Sequence, residues 1–181
     1  IVRAVFRTAI FDGMPVDDLP PYCVVGKDEN GGYRVIKTAL VTEALEAEGT
    51  TVKVNKSHLF AVGDFVTIGG GLKGASDKIT AIDKSNAGYD VITLEAKIGA
   101  AKVGQVLVGV KEKATEGKAT LVTSSSELVI TLSKVDLTVA NQSCGLMVRG
   151  TIRDGNMPFN RCRLEGFDAG NQIRKQEIII D

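Results

Sequence analysis

Tryptophan is absent from this 181-residue chain, histidine occurs once, and aromatic residues make up only 5% of it. A lone histidine leaves little choice of general base, so nucleophilic catalysis starts from a poor inventory. Surplus charge is missing as well: 22 Lys and Arg balance 22 Asp and Glu, with fourteen of each sign before residue 116 and eight of each from there on. Non-specific nucleic-acid binding draws its affinity from neutralised phosphates, so a chain without a polybasic arm is not expected to bind nucleic acid. No apolar run approaches the roughly 18 residues of a membrane helix and no basic stretch followed by an apolar core marks a signal peptide, so no membrane partner is expected. The chain begins at Ile1 rather than Met, and residues before Ile1 are expected to have been removed or left out. Cys23, Cys144 and Cys162 form an odd set without a close pair. Reduced thiols are expected, with one bridge plus one free thiol as the alternative. What remains is 44% hydrophobic and 24% charged, an ordinary globular composition. A chain of this length can bury roughly two thirds of its unfolded surface without help from a metal or a disulfide.

Period-two alternation with β-branched residues recurs in short runs at 51–54, 65–68, 78–82, 90–94, 105–108, 119–123, 128–132 and 145–152, which predicts strands. Turn-forming clusters separate them at Asp28 to Gly32, Lys84 to Gly88 and Asp154 to Asn156. Within the first, Asn30-Gly31 predicts a type I′ hairpin turn, which needs positive φ at both central residues. One short helix is expected from Glu43 to Glu48, capped by Thr42 and stopped by Gly49. Strands spaced about ten residues apart indicate a sandwich or barrel, so the fold class is all-β. Residues 50–111 read as a small SH3-like or OB-like β-barrel inserted into a second β domain. Residues 1–49 form that domain's first part with an N-terminal arm, and residues 112–181 its second part with a C-terminal strand. Loop-closure entropy rises slowly with length, so such an insertion is tolerable. Val62-Gly63-Asp64 and Val103-Gly104-Gln105 share one local pattern, a glycine turn feeding a polar residue and then an apolar strand.

Candidate chemistry is sparse. Gly69-Gly70-Gly71-Leu72-Lys73-Gly74 has the spacing of a dinucleotide fingerprint, but residues 75–84 after it are strand-like. The motif works only where glycines bring a helix N-terminus against a pyrophosphate, so a hairpin loop is expected instead. His58 has no Cys, Asp or Glu at metal-ligand spacing, and Ser124-Ser125-Ser126 lacks the nucleophile-elbow pattern. Cys144 and Cys162 are expected to act as small buried hydrophobes. Asp12, Asp17 and Asp18 lack the alternation of a calcium loop and are assigned to a proline-stiffened arm. The Asn141-Gln142-Ser143 sequon has meaning only in a eukaryotic secretory setting. Arg149, Arg153, Arg161 and Arg163 flank Phe159, and Asp154 and Glu165 beside them favour a solvated face or a protein interface over RNA binding. No catalytic residue, cofactor or metal is expected. The apolar run Ile1 to Phe11, cut off by Pro15, Pro20 and Pro21, and the C-terminal Glu177 to Asp181 read as strands that add to a sheet edge in the same chain or a neighbouring one.

Two segments carry a family resemblance. Tyr22-Cys23-Val24-Val25-Gly26-Lys27, the turn Asp28 to Gly32, and Tyr33-Arg34-Val35 together resemble the hairpin of tailed-bacteriophage head decoration proteins. Gly145-Leu146-Met147-Val148-Arg149-Gly150-Thr151-Ile152-Arg153, followed by Met157-Pro158-Phe159, is similar to a late stretch of head-fibre and decoration proteins from phages of gut bacteria. The resemblance implies a decoration-protein-like β domain in a virion protein, commonly trimeric, assembled in the host cytoplasm and seated on the outer capsid. Its partners would be the major capsid protein, further copies of itself and a host-surface glycan. Partner-binding residues are then expected at Phe6, Phe11 and Pro15 of the arm and at Arg149, Arg153, Met157 and Phe159. Two rival readings stand beside it. One is a barrel module binding nucleic acid or protein; the other is a glycan-binding adhesin, for which Tyr22, Tyr33 and Tyr89 without tryptophan make a thin aromatic platform.

Overall fold

The computed structural model describes residues 2–6, 17–56, 58–69, 72, 74–123, 128–138, 142–148, 150–152 and 178–180, of which 2–6, 142, 152 and 178–180 are described through their backbone. The first strands are β1 (Val2–Phe6), β2 (Asp18–Leu19), β3 (Val24–Lys27) and β4 (Tyr33–Val35). Six more follow: β5 (Thr38–Leu40), β6 (Thr51–Val54), β7 (Phe65–Ile68), β8 (Ser76–Asp83), β9 (Asp90–Leu94) and β10 (Val106–Val110). The last are β11 (Leu128–Thr131), β12 (Val135–Asp136), β13 (Gln142–Met147), β14 (Gly150–Ile152) and β15 (Ile178–Ile180). The protein is all-β, with no helix among the described residues.

Strands β5 to β10 close into a barrel. Their order around it is β5-β10-β7-β8-β9-β6, and a bridge between Val41, just past β5, and Val54 at the end of β6 joins the two ends. A register shift between Ile79 and Ala81 bends β8 so that its first half pairs with β7 and its second with β9. Val52, Val54, Phe60, Val66, Ile79 and Leu107 fill the interior.

The pairing has a two-fold character that the sequence barely shows. Exchanging β5 with β8, β6 with β9 and β7 with β10 leaves every neighbour relation in the barrel unchanged. Individual hydrogen bonds follow the same exchange. Gly63 N–H donates to Ile79 O and Gly104 N–H to Val41 O, both at 2.9 Å. Ile79 N–H donates to Asp64 O and Val41 N–H to Gln105 O, both at 2.8 Å. The two glycine turns match down to their side chains: Asp64 Oδ2 accepts Ala61 N–H at 2.8 Å, and Gln105 Oε1 accepts Lys102 N–H at 2.7 Å. The barrel is therefore two copies of one three-stranded unit. Gly63 (φ +100°) and Gly104 (φ +84°) occupy the left-handed region in open space. Gly63→Ala and Gly104→Ala are each expected to cost about 1–2 kcal/mol, by similar amounts, as the Cβ penalty for that region predicts. Urea midpoints at unchanged slope check this.

A five-stranded sheet, ordered β1-β13-β11-β3-β4, takes strands from both sides of the barrel in sequence. One face buries Val24, Leu128 and Ile130 against Val106 and Val108 of β10. The other buries Val25, Tyr33, Val129 and Cys144 with Leu19 and Val135 of the small β2–β12 ribbon. β14 and β15 form a separate parallel pair. Both chain ends thus find strand partners within the chain, β1 on β13 and β15 on β14.

Four local expectations are corrected. No helix forms over Glu43 to Glu48: Leu45 is buried and exchanges backbone hydrogen bonds with Ala101 at 2.8 and 2.9 Å, and Gly49 N–H closes a turn on Glu46 O. Six residues cannot repay helix nucleation, and burial of Leu45 in the barrel wins. Residues 119–123 keep alternating burial at Ala119, Leu121 and Thr123 but make no ladder, bonding to Lys111 through Thr120 O. The run 145–152 is two strands, broken at the exposed Val148. The Asn30-Gly31 hairpin exists with a different turn: Gly31 alone has positive φ, and Asp28 bonds to both Gly31 N–H and Gly32 O. That is a type I turn followed by a glycine bulge.

Candidate functional site

The β3–β4 hairpin, first of the two segments of the family resemblance, lies at one edge of the five-stranded sheet. Its turn is organised by a single side chain. Asp28 Oδ1 accepts Asn30 N–H at 3.0 Å and Gly32 N–H at 2.8 Å, while Oδ2 pairs with Arg34 Nε at 3.0 Å. Partial burial works against ionisation of Asp28, yet Arg34 and the two amides together hold its carboxyl below its ordinary value. Gly26 in β3 is packed closely: a Cβ there would lie 2.7 Å from Thr123 Oγ1 and 2.8 Å from Leu128 Cδ2. A side chain at this position would push the hairpin off the segment that leads into β11.

The sheet face that meets the barrel continues past it. Tyr22, Leu72 and Met147 are partly buried against the shared cluster of Val24, Ile36, Val106, Val108, Leu121, Leu128 and Ile130. Alternation along β11 puts Leu132 on the same face, and both Leu132 and Val148 are exposed. Tyr22 (φ +68°) and Leu72 (φ +51°) are the described non-glycine residues with left-handed backbone, and both pack onto this cluster. Such conformations persist where surroundings over-determine them, and here the joint between sheet and barrel supplies that constraint. Leu72 sits in the glycine-rich loop, which joins the antiparallel pair β7 and β8. A strand follows the loop, as the sequence indicates, so the helix N-terminus that a dinucleotide fingerprint needs is not present there.

Ionisable groups pair off inside the structure. His58 and Asp90 are buried together, with Nε2 3.1 Å from Oδ2, and Lys56 Nζ contacts the other carboxylate oxygen at 2.8 Å. Lys37 grips Asp64 through both oxygens at 2.9 and 2.7 Å, and Lys113 covers the buried Asp77 at 2.8 Å. No group of three or more His, Cys, Asp or Glu among the described residues is placed to hold a metal ion. Cys23 and Cys144 are buried in the same cluster, the role expected for Cys144.

Of the seven expected partner-binding residues, Phe6 is placed in β1, opposite Gln142 of β13, through its backbone alone. Phe11, Pro15, Arg149, Arg153, Met157 and Phe159 lie outside the described residues, as do Cys162 and Ser124 to Ser126. The sequence carried no sign of the His58–Asp90 pair, whose members are 32 residues apart. Comparison of the chain with protein-family models, with curated proteins and with solved structures finds no match.

Proposed function

We propose that the chain is a structural virion protein that binds the outer surface of a phage capsid as a decoration or head-fibre subunit. One observation carries this reading: residues 22–35, which resemble the decoration-protein hairpin in sequence, fold as the antiparallel β3–β4 hairpin at the end of the five-stranded sheet. The barrel between β4 and β11 suits the display of a surface domain, because it interrupts the sheet's chain path without taking a strand from it. Phe6, Phe11, Pro15, Arg149, Arg153, Met157 and Phe159 are the proposed contacts with the major capsid protein and with further copies of the chain, in a trimer. Repetition over a shell makes weak single contacts effective.

Co-sedimentation with purified heads, with mass spectrometry of the pelleted particles, tests this. The chain is expected in the pellet, and the double charge reversal R149E/R153E is expected to weaken its binding at least tenfold, since arginines are frequent interface anchors. A chain that stays in the supernatant and never occurs in particles would refute the reading. Salt-steep retention of nucleic acid on a filter would favour the barrel-module alternative, and a positive glycan array the adhesin.

A further inference from the structure

Residues 58–60 lie on the crossing from β6 to β7, and their three side chains are buried in three different ways. Leu59 enters the sheet's cluster with Val25, Tyr33 and Val129, while Phe60 enters the barrel interior. The two residues form a staple between the layers. His58 holds the staple in place. Its Nδ1 accepts Phe60 N–H at 3.2 Å, so the ring proton sits on Nε2 and is donated to Asp90 Oδ2 at 3.1 Å. The side chain has 0% exposure, and Lys56 already occupies Asp90 Oδ1. The neutral ring therefore satisfies both bonds. A second proton has only Nδ1 to go to, where it would face the Phe60 N–H, donor against donor.

We propose that His58 is an acid-sensitive latch: a proton on Nδ1 breaks the Phe60 N–H bond and frees the Leu59-Phe60 staple that ties the five-stranded sheet to the barrel. The charged groups facing the ring come from every element around it: Asp90 at the start of β9, Lys56 beyond β6, Lys84 beyond β8 and Asp64 ahead of β7. Burial holds the imidazole below its ordinary 6.5; Asp90 opposes this, Lys84 reinforces it and Asp64 opposes it more weakly. The closed form therefore refuses a proton that the open form accepts. Stability of the latch is complete above pH 6.5 and falls as the pH drops from there toward the pKa of the closed form.

Amide hydrogen exchange of the full chain between pH 7 and pH 4.5 tests the latch, with NMR titration of the His58 ring on the same sample. The Phe60 amide is expected to lose protection by up to about tenfold per pH unit below 6.5, the slope for one coupled proton, while Val66 and Leu107 in the barrel stay protected. In His58→Asn, whose side-chain oxygen can accept Phe60 N–H in place of Nδ1, that slope is expected to vanish. Phe60 protection independent of pH, an equal slope in the variant, or parallel loss at Val66 and Leu107 would overturn the proposal. Should the variant not fold, the ring titration decides alone: a midpoint below 6.5 that tracks Phe60 protection supports the latch, and a midpoint at or above 6.5 refutes it.

Discussion

Phe60→Ala is expected to destabilise the protein by about 3–5 kcal/mol, and Leu59→Ala by about 2–5 kcal/mol, the range for truncating fully buried side chains that leave a cavity. Both residues are 1% exposed, and Phe60 is among the largest fully buried side chains. The location makes the pair informative. Neighbours in sequence, they truncate different cores, Leu59 in the sheet's cluster and Phe60 in the barrel's. If sheet and barrel unfold as one cooperative unit, each substitution shifts a single transition. If they unfold separately, Leu59→Ala lowers the transition of the sheet and Phe60→Ala that of the barrel. Denaturant unfolding followed by two probes, one in each layer, distinguishes the outcomes, because coincident curves are the mark of a two-state transition. A loss under 1 kcal/mol for Phe60→Ala would show that the barrel interior does not depend on this ring.

Asp90→Ala is the second large effect, about 1–3 kcal/mol, the scale for leaving a buried donor without its acceptor. The carboxylate is 2% exposed and receives both Lys56 and His58. Its loss leaves the Nε2–H of a fully buried ring without an acceptor, whereas Lys56 can turn to water. Lys56→Met is expected to cost less, about 1 kcal/mol, because its own side chain is 37% exposed and Asp90 keeps the hydrogen bond from His58 Nε2. Thermal or urea unfolding of the two variants checks the ratio. Equal losses would mean that Lys56 rather than His58 carries the weight of the cluster.

The strands were readable because their signal is local. The runs at 51–54, 65–68 and 90–94 match β6, β7 and β9 residue for residue. In β6 and β9 one buried face imposes a period of two, while β7 is buried at Val66, Thr67 and Ile68 alike and is marked by its β-branched residues. Closure of the barrel was not readable, because it depends on Val41 meeting Val54 and on β10 lying between β5 and β7, pairings that no window of sequence contains. The two-fold was visible only as a pair of glycine turns. Equivalent positions such as Val41 and Ile79, Val54 and Leu94, or Asp64 and Gln105 keep burial or an acceptor oxygen and discard identity, so a search for repeated letters misses them. The helix at 43–48 was misread because propensity over six residues is weaker than one buried leucine. The polar cluster around Asp90 went unseen since its members are joined by the fold and not by spacing.

The glycine-rich loop takes on another meaning once β5-β6-β7 and β8-β9-β10 are seen as equivalent units. It is the covalent thread between two halves whose mutual interface already contains the β6–β9, β7–β10, β5–β10 and β7–β8 seams. Each half presents to the other the edges that a partner polypeptide would present. In its architecture the barrel is a dimer whose subunits happen to be written on one chain, and the thread holds them at a fixed one-to-one ratio.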